Sequence, residues 1–293
     1  MSSLQTCTSS TRPSSPTNGQ VLFETDTNRI IIYDLSATAW SVYNADGISY
    51  LSGGADDLHY TNGIYNDSGA TYYISTAPEM HFDAAYLDGQ DSANNPSNGS
   101  AVSSWYNRSG STTSYTATQA TGSAQPTFTT SGDGSKPCVT FDGGDWLDTA
   151  NNYGLSSDLT LITVSKSTDA TKSNVMGWNG WWGNTIWAKW FSNSSDYVVG
   201  GSRGDLTSPE NFGFHTVTRS SGTIKIYENG GTALWSGSGT LAMNAGRIGR
   251  TDLGYHSGNI SEILVFGSAL STSNLNTIRA YVSNKYGITT TSF

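Results

Sequence analysis

The chain has 293 residues, only 13% of them charged, and a formal net charge of −9. That balance excludes the basic footprint of a nucleic-acid binder and the polybasic segment of a protein drawn to anionic membranes. No stretch approaches the roughly 18 consecutive apolar residues of a membrane-inserted helix. Gly, Ser, Thr and Asn fill most polar positions, a composition that favours strands and tight turns over helices. The acidity reads as a solubility surface. Cys7 and Cys138, isolated in sequence, make neither a disulfide framework nor a zinc site. The first residues, MSSLQTCTSS, lack the basic region and apolar core of a signal peptide, so synthesis in a cytoplasm without export by that route is expected.

Taken in chain order, residues 1–19 are Ser/Thr/Pro-rich and read as a flexible N-terminal arm closed by the Asn18-Gly19 turn signal. Strands are expected over 21–25, 29–33 and 39–43, and a second small β region over 48–76, so that 20–76 forms a small β module. A sheet of this size buries little by itself and is expected to lean on a partner or on its own copies. From residue 77 onward the strands lengthen. They are expected at 81–87, 102–106 (with Trp105), 126–130, 136–141, 159–165, 185–191, 212–219, 223–228, 233–235, 247–249 and 260–266. Asn229-Gly230-Gly231 is a hairpin signal.

The chain then changes period. Ile260, Leu264 and Phe266 are placed on one face of a strand and Ile263 and Val265 on the other, so both faces are expected to be covered. Ser271 or Ser273 is suited to cap a helix in which Leu275, Ile278 and Val282 share one side, with Lys285 in its last turn and Gly287 closing it. The expected fold of 77–293 is an all-β, antiparallel jelly-roll sandwich with one C-terminal helix.

Two stretches resemble known families. The marks HFDAAYLDGQDS, NGSAVSSWYNRSG, QPTF with KPCVTFDGGDWL, IKIYENGG, GRIGR and NISEILVFGSALSTSNLNTIRAYVSNKYGI follow in order over about 79–288. They resemble the laminin-G-like branch of the concanavalin A-like lectin and glucanase sandwiches. RPSSPTNGQVLFETDTNRIIIYDLSATAWSVY, residues 12–43, resembles a short module near the N-terminus of tail-fibre and other virion proteins of tailed phages. Such modules serve attachment or multimerisation. Together the resemblances imply a phage virion surface protein: capsid decoration, head fibre or tail-fibre accessory. It would be made in the host cytoplasm and anchored to other virion proteins through residues 1–76. A homo-oligomer, by analogy with fibres a trimer, would present a lectin-like domain to a host surface glycan. A stand-alone carbohydrate-binding module and a polysaccharide depolymerase are the alternatives.

Residue types and their spacing point to the candidates for chemistry. Glucanases of this fold place paired carboxylates on one strand face, and the five glutamates here show no such alternation. Glu262, inside the most apolar strand, has no carboxylate two residues away, so the expectation is a protein that is not an enzyme. The segment MGWNGWWGNTIWAKW offers Trp178, Trp181 and Trp182 as flat faces for sugar rings, with Asn179 and Asn184 as hydrogen-bonding partners; packing of these tryptophans in the core is the competing assignment. No cofactor is expected. Asp83, Asp88, Asp91, Asp142 and Asp145 are calcium candidates, although Asp beside Gly is first of all a turn former.

Overall fold

A computed structural model describes the chain apart from residues 1–4, 19, 26–28, 35–38, 44–48, 52–63, 66–70, 73, 75, 90–91, 110–115, 150–157, 170–171, 178–186, 191–195, 200–201, 206–211, 239–245 and 252–253. The chain divides into two compact units, Met1–Asn62 and Gly63–Phe293.

The first unit is a five-stranded sheet in sequence order: β1 (Gln5–Cys7), β2 (Val21–Glu24), β3 (Arg29–Asp34), β4 (Ala39–Tyr43) and β5 (Ser49–Leu51). Part of the stretch read as an arm is thus an edge strand: Gln5–Cys7 lies parallel to β2, and the remaining pairs are antiparallel. Ser49–Leu51, read above as part of a second β region, adds to this sheet by pairing with β4. Leu22 and Ile31 form its buried apolar pair, with Cys7 and Tyr33 packed against them.

The second unit begins with a short hairpin, β6 (Ile64–Tyr65) and β7 (Thr71–Tyr72). There follow β8 (Met80–Asp83), β9 (Ser104–Tyr106), β10 (Thr116–Thr118), β11 (Thr127–Thr129), β12 (Cys138–Asp142), β13 (Leu147–Thr149) and β14 (Leu159–Ser167). Next come β15 (Lys172–Gly177), β16 (Trp187–Trp190), β17 (Asp196–Val199), β18 (Ser202–Asp205), β19 (Gly213–Ser220), β20 (Thr223–Glu228) and β21 (Trp235–Ser238). β22 (Gly246–Ile248), the hairpin β23 (Arg250–Thr251) and β24 (Gly254–Tyr255), β25 (Ser257–Phe266) and the helix α1 (Thr272–Tyr286) complete it.

One sheet runs β18-β17-β16-β15-β22-β13-β10-β9; the other runs β11-β12-β25-β14-β19-β20-β21, with β8 also paired to β25. The expected antiparallel all-β sandwich with a C-terminal helix is the observed fold. Phe82, Phe141, Leu161, Val217 and Ile263 of one sheet interleave with Trp105, Leu147, Met176 and Ile248 of the other. The second apolar layer lies between the outer face of the β25 sheet and α1. There Ile162, Val164, Phe214, Leu264 and Phe266 meet Leu275, Ile278, Tyr281, Val282 and Tyr286. β25 is central and covered on both faces, as the apolar residues on both of its faces require.

Two local expectations are corrected. Ile260 does not share a face with Leu264 and Phe266; it packs between the sheets with Ile263 and Val265. The register on β14 shifts between Val164, opposite Glu262, and Ser165, opposite Ile260. Ser261 is therefore an extra residue, and a bulge of one residue reverses the face of everything beyond it. Second, the strand expected over 81–87 stops at Asp83. The Asp83 carboxylate accepts from the Ala85 N–H at 2.9 Å and turns the chain into a 3-10 turn, Ala84–Tyr86.

The helix ends follow the local signals. Ser271, in extended conformation, accepts from the Asn274 N–H at 3.2 Å. Gly287 takes the left-handed conformation (φ 67°) and donates to the Ser283 carbonyl at 2.9 Å.

Candidate functional site

Two constellations in the second unit combine charge with aromatic rings, one buried and one at the surface. The buried one lies under α1. In β8, His81 and Asp83 alternate with the core residue Phe82 and so face the helix; β25 places Glu262 directly opposite Asp83 in register. From α1, Tyr281 and Lys285 reach the same spot one turn apart, joined by Tyr286. Lys285 Nζ donates to Asp83 Oδ2 at 2.7 Å, to Glu262 Oε2 at 3.1 Å and to the Tyr281 hydroxyl at 2.9 Å. The Tyr281 and Tyr286 hydroxyls donate to the two oxygens of Glu262, both at 2.7 Å, and His81 Nε2 lies 2.5 Å from Glu262 Oε1. Arg108 Nη1 donates to Asp83 Oδ2 at 2.9 Å while its guanidinium lies over the Tyr86 ring. These seven side chains beside Tyr86 are 0–7% exposed.

Two carboxylates thus face one ammonium and one guanidinium, and every Glu262 oxygen is hydrogen-bonded. Burial by itself would raise the Glu262 carboxyl; the Lys285 ammonium and the His81 hydrogen bond outweigh it and hold the group well below the usual carboxylate range. Burial would lower Lys285, and Asp83 and Glu262 outweigh that and hold it above its ordinary value. His81, Asp83 and Glu262 offer ligand atoms within 4.8 Å of one another, a donor set suited to a metal ion. The Lys285 ammonium already supplies the positive charge at that point, bonded to both carboxylates, so the residues present do not fit a further cation. What this arrangement does is tie β8, β25 and α1 together at a point closed to solvent.

The other calcium candidates are engaged in turns. Asp142 accepts from the Gly144 N–H at 2.7 Å, and Asp145 accepts from the Asp142 N–H at 3.0 Å. Burial, with Asp142 beside it, raises the Asp145 carboxyl to about 6. Asp88 accepts from Asn94 Nδ2 at 2.7 Å. Asp91 lies outside the described residues, as do Trp178, Asn179, Trp181, Trp182 and Asn184.

The sequence does not bring the surface constellation together, although DGGDWL contains Trp146 and GRIGR contains Arg247 and Arg250. Across the outer face of the β9–β15 sheet runs a register row of Ser104, Thr118, Asp148, Arg247 and Gly177. Their neighbours in the strands, Trp105, Ala117, Leu147 and Ile248, are the inward core residues, so the row faces outward. Arg247 Nε donates to Asp148 Oδ1 at 2.8 Å, and Trp146 Nε1 donates to Asp148 Oδ2 at 3.0 Å. One carboxylate therefore fixes both an arginine and an indole. The β23–β24 hairpin brings Arg250 and Tyr255 opposite each other. The Tyr255 ring stands 5.9 Å from Trp146, and the Arg250 guanidinium is 4.8 Å from both ring centroids. All three are half-buried, and Asp148 is exposed. Aromatic faces beside a strip of hydroxyls and a fixed ion pair can stack on sugar C–H faces and hydrogen-bond sugar hydroxyls.

No family model matches the chain, and no curated protein matches it. Among solved structures it is similar to a Trypanosoma rangeli sialidase in complex with the inhibitor DANA, at 11% identity and TM-score 0.47, over 88% of this chain and 43% of that one. It is similar to domain 4 of AbnA, a GH43 extracellular arabinanase from Geobacillus stearothermophilus in complex with arabinotriose, at 17% identity and TM-score 0.44, over 71% of this chain and all of that domain. A heptameric SAP-like pentraxin from Limulus polyphemus is similar at 13% identity and TM-score 0.34, over 42% of this chain and 70% of that one. The chain spans less than half the length of the sialidase. Such distant likeness transfers no activity.

It does correct one expectation. The protein was read as not an enzyme because no carboxylates alternate along a strand, yet two of the solved structures named above are a sialidase and a domain of an arabinanase, both glycoside hydrolases by name. The premise also fails on physical grounds. Asp83 and Glu262, far apart in sequence, become direct neighbours across two strands, so a missing linear motif is no evidence against paired carboxylates. The exclusion of hydrolysis is withdrawn.

Proposed function

We propose that this chain is a surface protein of a tailed-phage particle, a capsid decoration, head fibre or tail-fibre accessory, whose sandwich binds host glycan. The observation that carries the glycan part is the Trp146–Tyr255 pair beside the Asp148–Arg247 row on the outer face of one sheet. Trp178, Trp181 and Trp182 stay glycan-binding candidates on their residue type alone, because they lie outside the described residues. The virion part is supported by the resemblance of residues 12–43 to tailed-phage fibre and virion modules. A five-stranded sheet whose described core is Leu22 and Ile31 also gains from a partner surface, which favours virion neighbours and a homotrimer.

Two measurements test it. Proteomics of purified particles should find the chain at fixed copy number, and its absence from them would leave a stand-alone carbohydrate-binding module. A glycan array should show saturable binding that is lost in Trp146→Ala and Tyr255→Ala with the fold intact; binding unchanged by both would remove this face from the proposal. Reducing ends released during the same incubation would show that bound glycan is also cut.

A further inference from the structure

We infer that the ligand of the outer face is an acidic glycan, whose anionic group is received by Arg250. This rests on the glycan reading above and adds the ligand's charge. The two arginines of the cluster differ in what surrounds them. Arg247 has its charge matched by Asp148 at 2.8 Å. Among the described residues Arg250 is paired with no carboxylate, and its guanidinium lies against the faces of Trp146 and Tyr255, each 4.8 Å away. Ring faces attract the cation, but they do not satisfy the five N–H donors at its edge. A half-buried guanidinium held between two rings is therefore pre-positioned for an oxyanion arriving from solvent, and a carboxylate or sulfate can take two of its donors at once.

The position suits a sugar acid in particular. Arg250 covers one face of each ring, so a pyranose would lie against the remaining surface of the pair, with its acidic substituent at the outer donors of the guanidinium. Asp148 and Thr118 stand beside them for its hydroxyls. The net charge of the whole chain is −9, so an acidic glycan is repelled at long range and needs such a local cation to bind. Binding should accordingly be salt-sensitive.

The test uses the full-length chain and an array of uronic-acid oligosaccharides, each matched with its carboxyl-reduced neutral counterpart, and a parallel set of sulfated galactan oligosaccharides. Wild type should prefer a charged oligosaccharide over its neutral match by about tenfold or more, the size expected of a charge-assisted hydrogen-bonded pair. Arg250→Gln should erase that preference while leaving residual binding of the neutral form, and Arg250→Lys should restore part of it. Arg250-dependent preference for the uronates assigns the anion as carboxylate, and for the galactans as sulfate; either supports the inference. Equal binding of charged and neutral forms, or a preference that survives in Arg250→Gln, overturns it and leaves the glycan reading standing. Silence across the whole array overturns both. Unchanged thermal unfolding and near-ultraviolet circular dichroism in each variant separate lost recognition from lost fold.

Discussion

The two charged constellations of the sandwich are built from the same parts, acidic groups, basic groups and aromatic side chains, and differ in what surrounds them. Under α1, water is excluded, and the charges of Asp83, Glu262, Lys285 and Arg108 are directed at one another. On the opposite sheet, Asp148 and Arg247 are paired at the surface, and in the adjoining β23–β24 hairpin Arg250 packs against aromatic faces with no carboxylate partner among the described residues. A buried charge must be matched within the protein, whereas water can hold a surface charge until a ligand replaces it. The first cluster is thus an internal clasp, and the second is the proposed glycan face.

The sharpest way to break that contrast is to remove the buried ammonium. Lys285→Met leaves two carboxylates closed off from solvent, and should cost about 3–5 kcal/mol in denaturant unfolding. Glycan affinity per folded molecule should stay as in wild type, because the clasp is on the far sheet. Adding Asp83→Asn to Lys285→Met should cost less than the two single losses together, since one orphaned charge disappears. Strict additivity would mean that the two groups do not interact.

Acid comes next in size. Burial lowers both His215 and His256 from 6.5 to about 4, so the unfolded chain binds protons there that the folded chain does not. Stability should fall as pH drops from about 6.5 to about 4, by on the order of 3 kcal/mol per histidine. Asp145 works against this: raised to about 6, it takes up its proton in the folded state first and adds stability as pH falls through 6. Two histidines outweigh one aspartate, and a flat unfolding profile between pH 6.5 and 4 would contradict the neutral burial of the histidines. Glu262, held low, contributes stability that is present above the ordinary carboxylate range and lost only in stronger acid.

Arg250→Gln should sharpen the comparison from the other side. Its unfolding midpoint should lie within about 0.5 kcal/mol of wild type, while affinity for an acidic oligosaccharide falls about tenfold. The smallest expected effect is at the cap of α1: Ser271→Ala should cost about 1 kcal/mol in thermal or denaturant unfolding and leave glycan binding alone.

Local rules were enough for the parts of this molecule made from neighbouring residues. Ser271, one of the two serines suited to the cap, and Gly287 do cap α1, and Leu275, Ile278 and Val282 do face the sheet. Lys285 was legible as a last-turn residue, but its partners were not. Asp83 and Glu262 are brought to it by strand pairing across most of the domain, and nothing near residue 285 encodes that distance. Ser261 was invisible as a bulge because the apolar alternation of 260–266 has a consistent two-face solution, and only the register with β14 selects the other one. Trp146, Arg250 and Tyr255 were passed over for a similar reason. Each sits in a glycine-rich or polar stretch with no period of its own, and they become a cluster only when β13, β22 and the β23–β24 hairpin are laid side by side.

Composition and pattern alone therefore determined the class of the fold, the two-faced burial of β25, and the start and end of its helix. These depend on propensity, periodicity and capping, which act over a few residues. Tertiary structure decided which charges meet, which of them water can reach, and which aromatic side chains share a face. These depend on pairing between strands distant in sequence, and on burial, which turns one set of charges inward on itself and leaves Asp148 at the surface.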